Sequence, residues 1–140
     1  MKTPAWQSRP AAMAVAVMLV LGSLLMLEGF FDRGDRKKAT ALVRERYQVE
    51  GWSIGRYLRE VKHPSVRDSF WETDVRSGCA SIVDVEYHIP NPPQDDLVYR
   101  FTVEVKTRAI HPGNENGKRL MQEWEAHARA HPAPKPAPKP

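Results

Sequence analysis

A single cysteine, Cys79, stands in 140 residues, so no intramolecular disulfide and no cysteine-based zinc site can form, and the redox compartment is not legible from cysteine usage. Cys79 follows Gly78 at the start of a strand, without a basic neighbour to favour the thiolate, and is expected to be a small buried residue. A glycine-rich phosphate loop is also missing, and Gly51-Trp-Ser-Ile-Gly reads as a junction between helices. No block of one charge dominates the chain. Its 21 Lys and Arg are scattered among 17 Asp and Glu, for a formal charge of +4, and without a basic stripe the composition argues against nucleic-acid binding. The only dense basic cluster, Arg33, Arg36, Lys37 and Lys38, directly follows an apolar segment, where anionic lipid headgroups are the simplest partner.

That apolar segment is what the sequence does have. From Pro10 to Leu27 no residue is charged, and after Glu28 the run resumes with Gly29, Phe30 and Phe31. About 20 residues at 1.5 Å each cross the hydrocarbon layer of roughly 30 Å, so residues 11–31 are predicted to span a membrane, behind a tail at residues 1–10. Glu28 then falls near an interface as a boundary residue, and Trp6 and the Phe30–Phe31 pair lie near the two interfaces, where aromatic side chains concentrate. A cleaved signal peptide would use Lys2 and Arg9 as its basic start and Met13 to Leu27 as its apolar centre. However, Leu27 to Phe31 offer no small-x-small cleavage site, and the helix is expected to be retained.

Orientation pulls two ways. Arg33, Arg36, Lys37, Lys38, Arg44 and Arg46 outnumber Lys2 and Arg9, which by count alone keeps the domain in the cytoplasm, yet Asp32 and Asp35 lie among those bases and a long domain can override local charge. The short basic tail ahead of the helix resembles a signal anchor and the Pro-Lys ending resembles periplasmic extensions. The expectation is an inner (cytoplasmic) membrane protein with its amino terminus inside and its domain extracytoplasmic. Ala12, Ala16 and Ser23 share one helix face that would admit a close helix partner.

Roughly 100 residues then remain, the size of one compact domain, taken as residues 32–131. After Gly34, Ala39, Leu42, Val43 and Tyr47 recur at helical spacing and predict an amphipathic helix that stops near Gly51. Ile54, Tyr57, Leu58 and Val61 repeat the pattern after a Ser53 cap, with Pro64 as a stop, and all four are assigned to the core. The period then changes to two. Trp71, Thr73 and Val75 share one face of a first strand, which ends at a Ser77-Gly78 turn. Ser81, Val83, Val85, Tyr87 and Ile89 face inward on a second, with Ile82, Asp84, Glu86 and His88 outward. Leu97, Tyr99, Phe101, Val103 and Val105 alternate with Arg100, Thr102, Glu104, Lys106 and Arg108 on a third. Asn91 to Asp96 connect the second and third. Pro112-Gly113 ends the sheet, Asn114 caps a last helix carrying Leu120, Met121 and Trp124, and residues 132–140 form a Pro/Lys-rich extended tail. The predicted fold is therefore α+β: a transmembrane helix, then helices packed on a three-stranded antiparallel meander, then a C-terminal helix.

Chemistry is sparse in this reading. Glu123, His127 and His131 fall at i, i+4 and i+8 and form the one weak metal candidate. His63, His88 and His111 show no acid or nucleophile partner, and Asp95 and Asp96 are explained by turn chemistry. No catalytic residue and no cofactor emerges.

The helix, meander and closing helix, with the run from Phe101 to Met121 as the most similar stretch, resemble bacterial membrane-anchored proteins with a small cystatin-like domain, related in shape to the nuclear-transport-factor-like group. Such relatives often carry a cytoplasmic zinc ribbon ahead of the membrane helix, which a single cysteine cannot build. The resemblance implies an anchored binding or scaffolding module with no common set of functional residues. The expected partners are the lipid bilayer and proteins of a larger membrane or envelope complex, with no nucleic acid and no identified small-molecule substrate. An accessory single-pass subunit of a respiratory or photosynthetic assembly is one alternative. A small enzyme using a sheet-helix pocket is the other, favoured if a carboxylate and a histidine meet inside that pocket.

Overall fold

The computed structural model describes residues 9–77 and 80–134, and at residues 9–11, 28 and 30 the backbone alone. Lys2, Trp6, Gly78, Cys79, the tail from Lys135 onward, and the side chains of Glu28 and Phe30 lie outside the described residues.

The first helix, α1, runs over Arg9–Ala41, 33 residues or about 50 Å, and tightens into one wide π-type turn at Leu42–Arg46. The predicted membrane span and the predicted amphipathic helix after Gly34 are thus one continuous element. Its two halves meet opposite environments. Every large apolar side chain described from Met13 to Leu27 is more than half exposed, whereas Ala39 and Val43 expose nothing. This is the one helix among the described residues that is long and apolar enough to cross a membrane.

Two short strands, β1 (Gln48–Val49) and β2 (Trp52–Ser53), form a tight hairpin where a helix junction was expected. Glu50 and Gly51 both take positive φ, 49° and 80°, the geometry that closes a two-residue turn. Ser53 caps the next helix, α2 (Ile54–Tyr57), by accepting from the Arg56 amide at 3.1 Å, as the sequence predicts. A second π-type turn, Leu58–Lys62, follows. Its wider pitch shifts the helical phase, so Ile54, Tyr57 and Leu58 are buried but Val61, assigned to the core by strict helical spacing, is exposed.

The sheet has four antiparallel strands in chain order, β3 (Phe70–Ser77), β4 (Ile82–Ile89), β5 (Leu97–Glu104) and β6 (Ala109–Pro112). The predicted three-stranded meander is corrected here. Lys106, Thr107 and Arg108 continue the alternation of β5 and include no glycine, proline or asparagine, so no residue announces a turn. The chain nonetheless reverses over residues 105–108, with Arg108 at φ 62°, and Ala109–Pro112 returns beside β5.

The inward positions form rows across the sheet. Val75, Val83, Val103 and Ile110 are in register, as are Thr73, Val85, Phe101 and Pro112, and then Trp71, Tyr87 and Tyr99. The end of α1 covers β3 and β4, and α3 (Glu115–Ala130) covers β5 and β6. Asn114 caps α3 through the Gly117 amide at 2.7 Å. Leu120, Trp124 and Ala128 of α3 are buried, and α2 wedges between α3 and the end of α1. At about 1.5 to 3 kcal/mol per large apolar side chain, this one-sided core is the main force holding the layers together.

Gly55 marks the closest helix approach. A Cβ there would lie 2.6 Å from the Arg44 carbonyl oxygen, to which Ser53 Oγ also donates at 2.6 Å. Helix propensity alone would make Gly55→Ala stabilising by about 1 kcal/mol. The contact reverses the sign, and we expect Gly55→Ala to destabilise by about 1–3 kcal/mol, read from unfolding of the full chain in mild detergent by tryptophan fluorescence.

Candidate functional site

On the open face of the sheet, away from the helices, Glu72, Glu86 and Arg100 stand side by side on β3, β4 and β5. Two carboxylates directly opposite each other are unfavourable, and the neighbours compensate. The Arg100 guanidinium pairs closely with Glu86 Oε1. His88, two residues along β4, places Nε2 2.8 Å from Glu86 Oε2 and 3.4 Å from Glu72 Oε2, while Asp96 faces its Nδ1 at 3.8 Å. The Phe70 ring stacks on the imidazole at 4.8 Å, leaving the His88 side chain 13% exposed. Among the described residues, Glu72, Glu86 and His88 are the ligating trio whose donor atoms all lie within 4.8 Å of one another. One imidazole nitrogen and two carboxylates suit a divalent cation chemically, but Arg100 already supplies positive charge to the same carboxylate. The arrangement stands as a complete ion-pair network. The sequence reading gave His88 no acid partner: Glu72 comes from the adjacent strand and Asp96 from the following loop, and Glu86, on the same outward face two residues away, was the one signal available and was passed over.

The same face buries Asp84, which accepts from the Arg76 guanidinium at 2.8 and 3.1 Å and from Thr102 Oγ1 at 2.7 Å. Charge pairs across the strands, Arg76 with Asp84 and Arg100 with Glu86, thus shield part of this open face.

Of the predicted trio, Glu123 and His127 lie on α3 and His131 is the residue just past its end. Glu123 pairs with Lys62. α3 ends at Ala130, and the His131 ring folds over His127, the two stacking at 4.7 Å with a 24° interplanar angle. His127 Nε2 is buried without a hydrogen-bond partner, and Trp52 meets the ring edge-on at 4.9 Å. Trp52 Nε1 donates to the His131 carbonyl at 2.7 Å, and Trp124 Nε1 to the Trp52 carbonyl at 3.1 Å. These contacts clasp the β1–β2 hairpin onto α3. Helical spacing revealed the shared face but not the hairpin against it.

Where sheet and helices meet, the volume is filled by Val83, Val85, Phe101, Val103 and Trp124, none exposed. A recess of about 200 Å³ remains at the edge, lined by Lys62, Tyr99, Asn116, Arg119, Leu120 and Glu123. Burial pushes the Tyr99 hydroxyl above its ordinary range, and Tyr57 likewise with help from the Glu123 charge. Lys62 is raised by its hydrogen bond to Glu123. His63, 2.9 Å from the Tyr99 hydroxyl through Nε2, is lowered first by burial and then by the charge on Lys62. Among the described residues the carboxylate–histidine contacts, His88 with Glu72, Glu86 and Asp96 and His111 with Glu104, thus involve none of the residues that line the recess.

On the opposite flank of α1, a groove of about 390 Å³ runs between the helix and the β5–β6 turn. Asp35, Lys38 and Arg46 line one wall, and Lys106 and Arg108 the other. His111 lies apart, 3.8 Å from Glu104 and well exposed. No family model, curated protein or solved structure matches this chain.

A lowered imidazole means that the unfolded chain takes up a proton at His63 more readily than the native one. The resulting stability is fully present above the ordinary value of 6.5 and is lost as pH falls below it towards the native value. His63→Asn should therefore flatten the loss of unfolding midpoint on acidification below 6.5, measured by thermal melts at successive pH values. An unchanged pH profile would remove His63 from the account.

Proposed function

We propose that this chain is a membrane-anchored, non-catalytic binding or scaffolding module: α1 crosses the inner membrane once and holds the domain against a protein partner in a membrane or envelope complex. The observation that carries this reading is the exposure of every large apolar side chain described from Met13 to Leu27 on the same helix whose last turns enter the domain core. In water that surface would cost roughly 1.5 to 3 kcal/mol per side chain, and in lipid it costs nothing. A closed helix is also one of the two backbone forms that satisfy every amide in hydrocarbon. Helices layered on one side of an antiparallel sheet are compatible with the cystatin-like resemblance, and the filled sheet-helix interface favours binding over enzyme chemistry. The extracytoplasmic placement of the domain follows from the signal-anchor reading of the tail.

The full chain should stay with membranes through alkaline carbonate washing and leave only with detergent. Leu19→Arg combined with Leu24→Arg, each costing about 2.5–3.5 kcal/mol near the bilayer centre, should weaken insertion. Protease added outside spheroplasts should digest the domain. Recovery of full-mass, detergent-free chain in the soluble fraction would overturn the anchor, and protection of the domain in spheroplasts would reverse its orientation.

A further inference from the structure

We propose that the groove between α1 and the β5–β6 turn is a binding site for the phosphate of an anionic lipid headgroup. The inference rests on the membrane-anchored reading, and it adds a ligand, a location and residues from a distant part of the chain.

Position comes first. If hydrocarbon ends near Phe31, the headgroup layer extends about 5–7 Å further. At 1.5 Å per residue Asp35 lies about 6 Å and Lys38 about 10 Å beyond that boundary. A lysine at that height can extend its ammonium back into the phosphate layer. Because α1 is unbroken through Gly34, the groove cannot swing away from the bilayer on a flexible link.

Charge comes second. Lys38, Arg46, Lys106 and Arg108 line the groove against one acid, Asp35. Elsewhere the arginines of the domain divide: Arg36 pairs with Asp74, Arg56 with Glu60, Arg76 with Asp84 and Arg100 with Glu86, while Arg44, Arg59 and Arg67 make no ion pair among the described residues. Lys38, Arg46 and Arg108 have no ion pair among the described residues. Four cations gathered around one cleft against a single acid make an anion site, and guanidinium groups suit the paired oxygens of a phosphate.

Construction comes third. The Val105 amide donates to the Ser81 carbonyl at 3.0 Å, which ties the start of the turn to the start of β4. Arg108 occupies left-handed backbone, φ 62°, where glycine or asparagine would sit at lower cost. The cation at that strained position lines the groove together with Lys38 and Arg46.

A free phosphate shares the chemistry, but the groove begins inside the headgroup layer, so the lipid is the committed ligand. The test uses the full chain in mild detergent with equal phosphatidylglycerol and phosphatidylcholine, counting retained lipids by native mass spectrometry. Retention should favour phosphatidylglycerol, and Lys106→Gln with Arg108→Gln should cut that preference by roughly tenfold or more, at about 1 kcal/mol per cation near a charged surface. Lys106→Arg with Arg108→Lys should keep it, which separates lost charge from a damaged turn. Equal retention of both lipids, or a preference unmoved by the Gln pair, would overturn the proposal while leaving the anchor standing. Displacement of phosphatidylglycerol by millimolar inorganic phosphate would overturn the lipid as the ligand. Detergent-independent solubility of the chain would instead mark failure of the anchor itself.

Discussion

Ala39, Leu42 and Val43 are the residues through which α1 enters the domain core, and they sit on the same unbroken helix as the apolar stretch that the protein leaves uncovered. Helical hydrogen bonding makes that continuity mechanically meaningful, because an α-helix resists bending where no proline or inserted group interrupts its ladder. The sheet is therefore fixed relative to α1 by core packing, and any surface that embeds the first half of the helix also sets the height and tilt of the sheet. A domain on a flexible linker would have no such constraint. Here the apolar stretch and the core share a backbone.

The sheet divides labour between its faces. One face is closed by three helical elements and carries the apolar rows that hold the fold. The other is polar, and its charges are arranged in register: Arg76 with Asp84, Arg100 with Glu86, and His88 among Glu72, Glu86 and Asp96. Exposed pairs of this kind each contribute little to stability, but together they neutralise like charges that strand register forces side by side. They also leave the edge strand β3 bordered by charged groups at Glu72 and Asp74, a guard against edge-to-edge pairing.

The histidines show how local pattern and tertiary surroundings part company. His127 and His131 share a helical face, which is a metal-binding pattern when the rings project into open space. The β1–β2 hairpin occupies that space instead: the His127 ring packs against Trp52, and the His131 ring stacks on His127. His88, dismissed by its outward position on a strand, collects three carboxylates, Glu86 from two residues away on its own strand, Glu72 from the adjacent strand and Asp96 from the loop beyond, and the last two are invisible to local pattern. Sequence separation hides such neighbours, and register reveals them.

By itself the sequence determined the long apolar helix, the alternation that makes β3, β4 and β5, the Ser53 and Asn114 caps, and which residues of those strands turn inward. Each of these follows from contacts within a few residues, where hydrogen-bond geometry and side-chain period leave little choice. Tertiary structure decided the rest. The fourth strand depends on Arg108 accepting left-handed backbone so that Ala109–Pro112 can pair with β5, and the hairpin depends on Glu50 doing the same beside Gly51. In both turns a residue without turn propensity adopts a costly conformation, and the offsetting free energy comes from pairing and packing with residues far along the chain. The merging of apolar helix and core helix is of the same kind: Gly34 permits either a break or a continuation, and the burial of Ala39 and Val43 against the sheet selects the continuation.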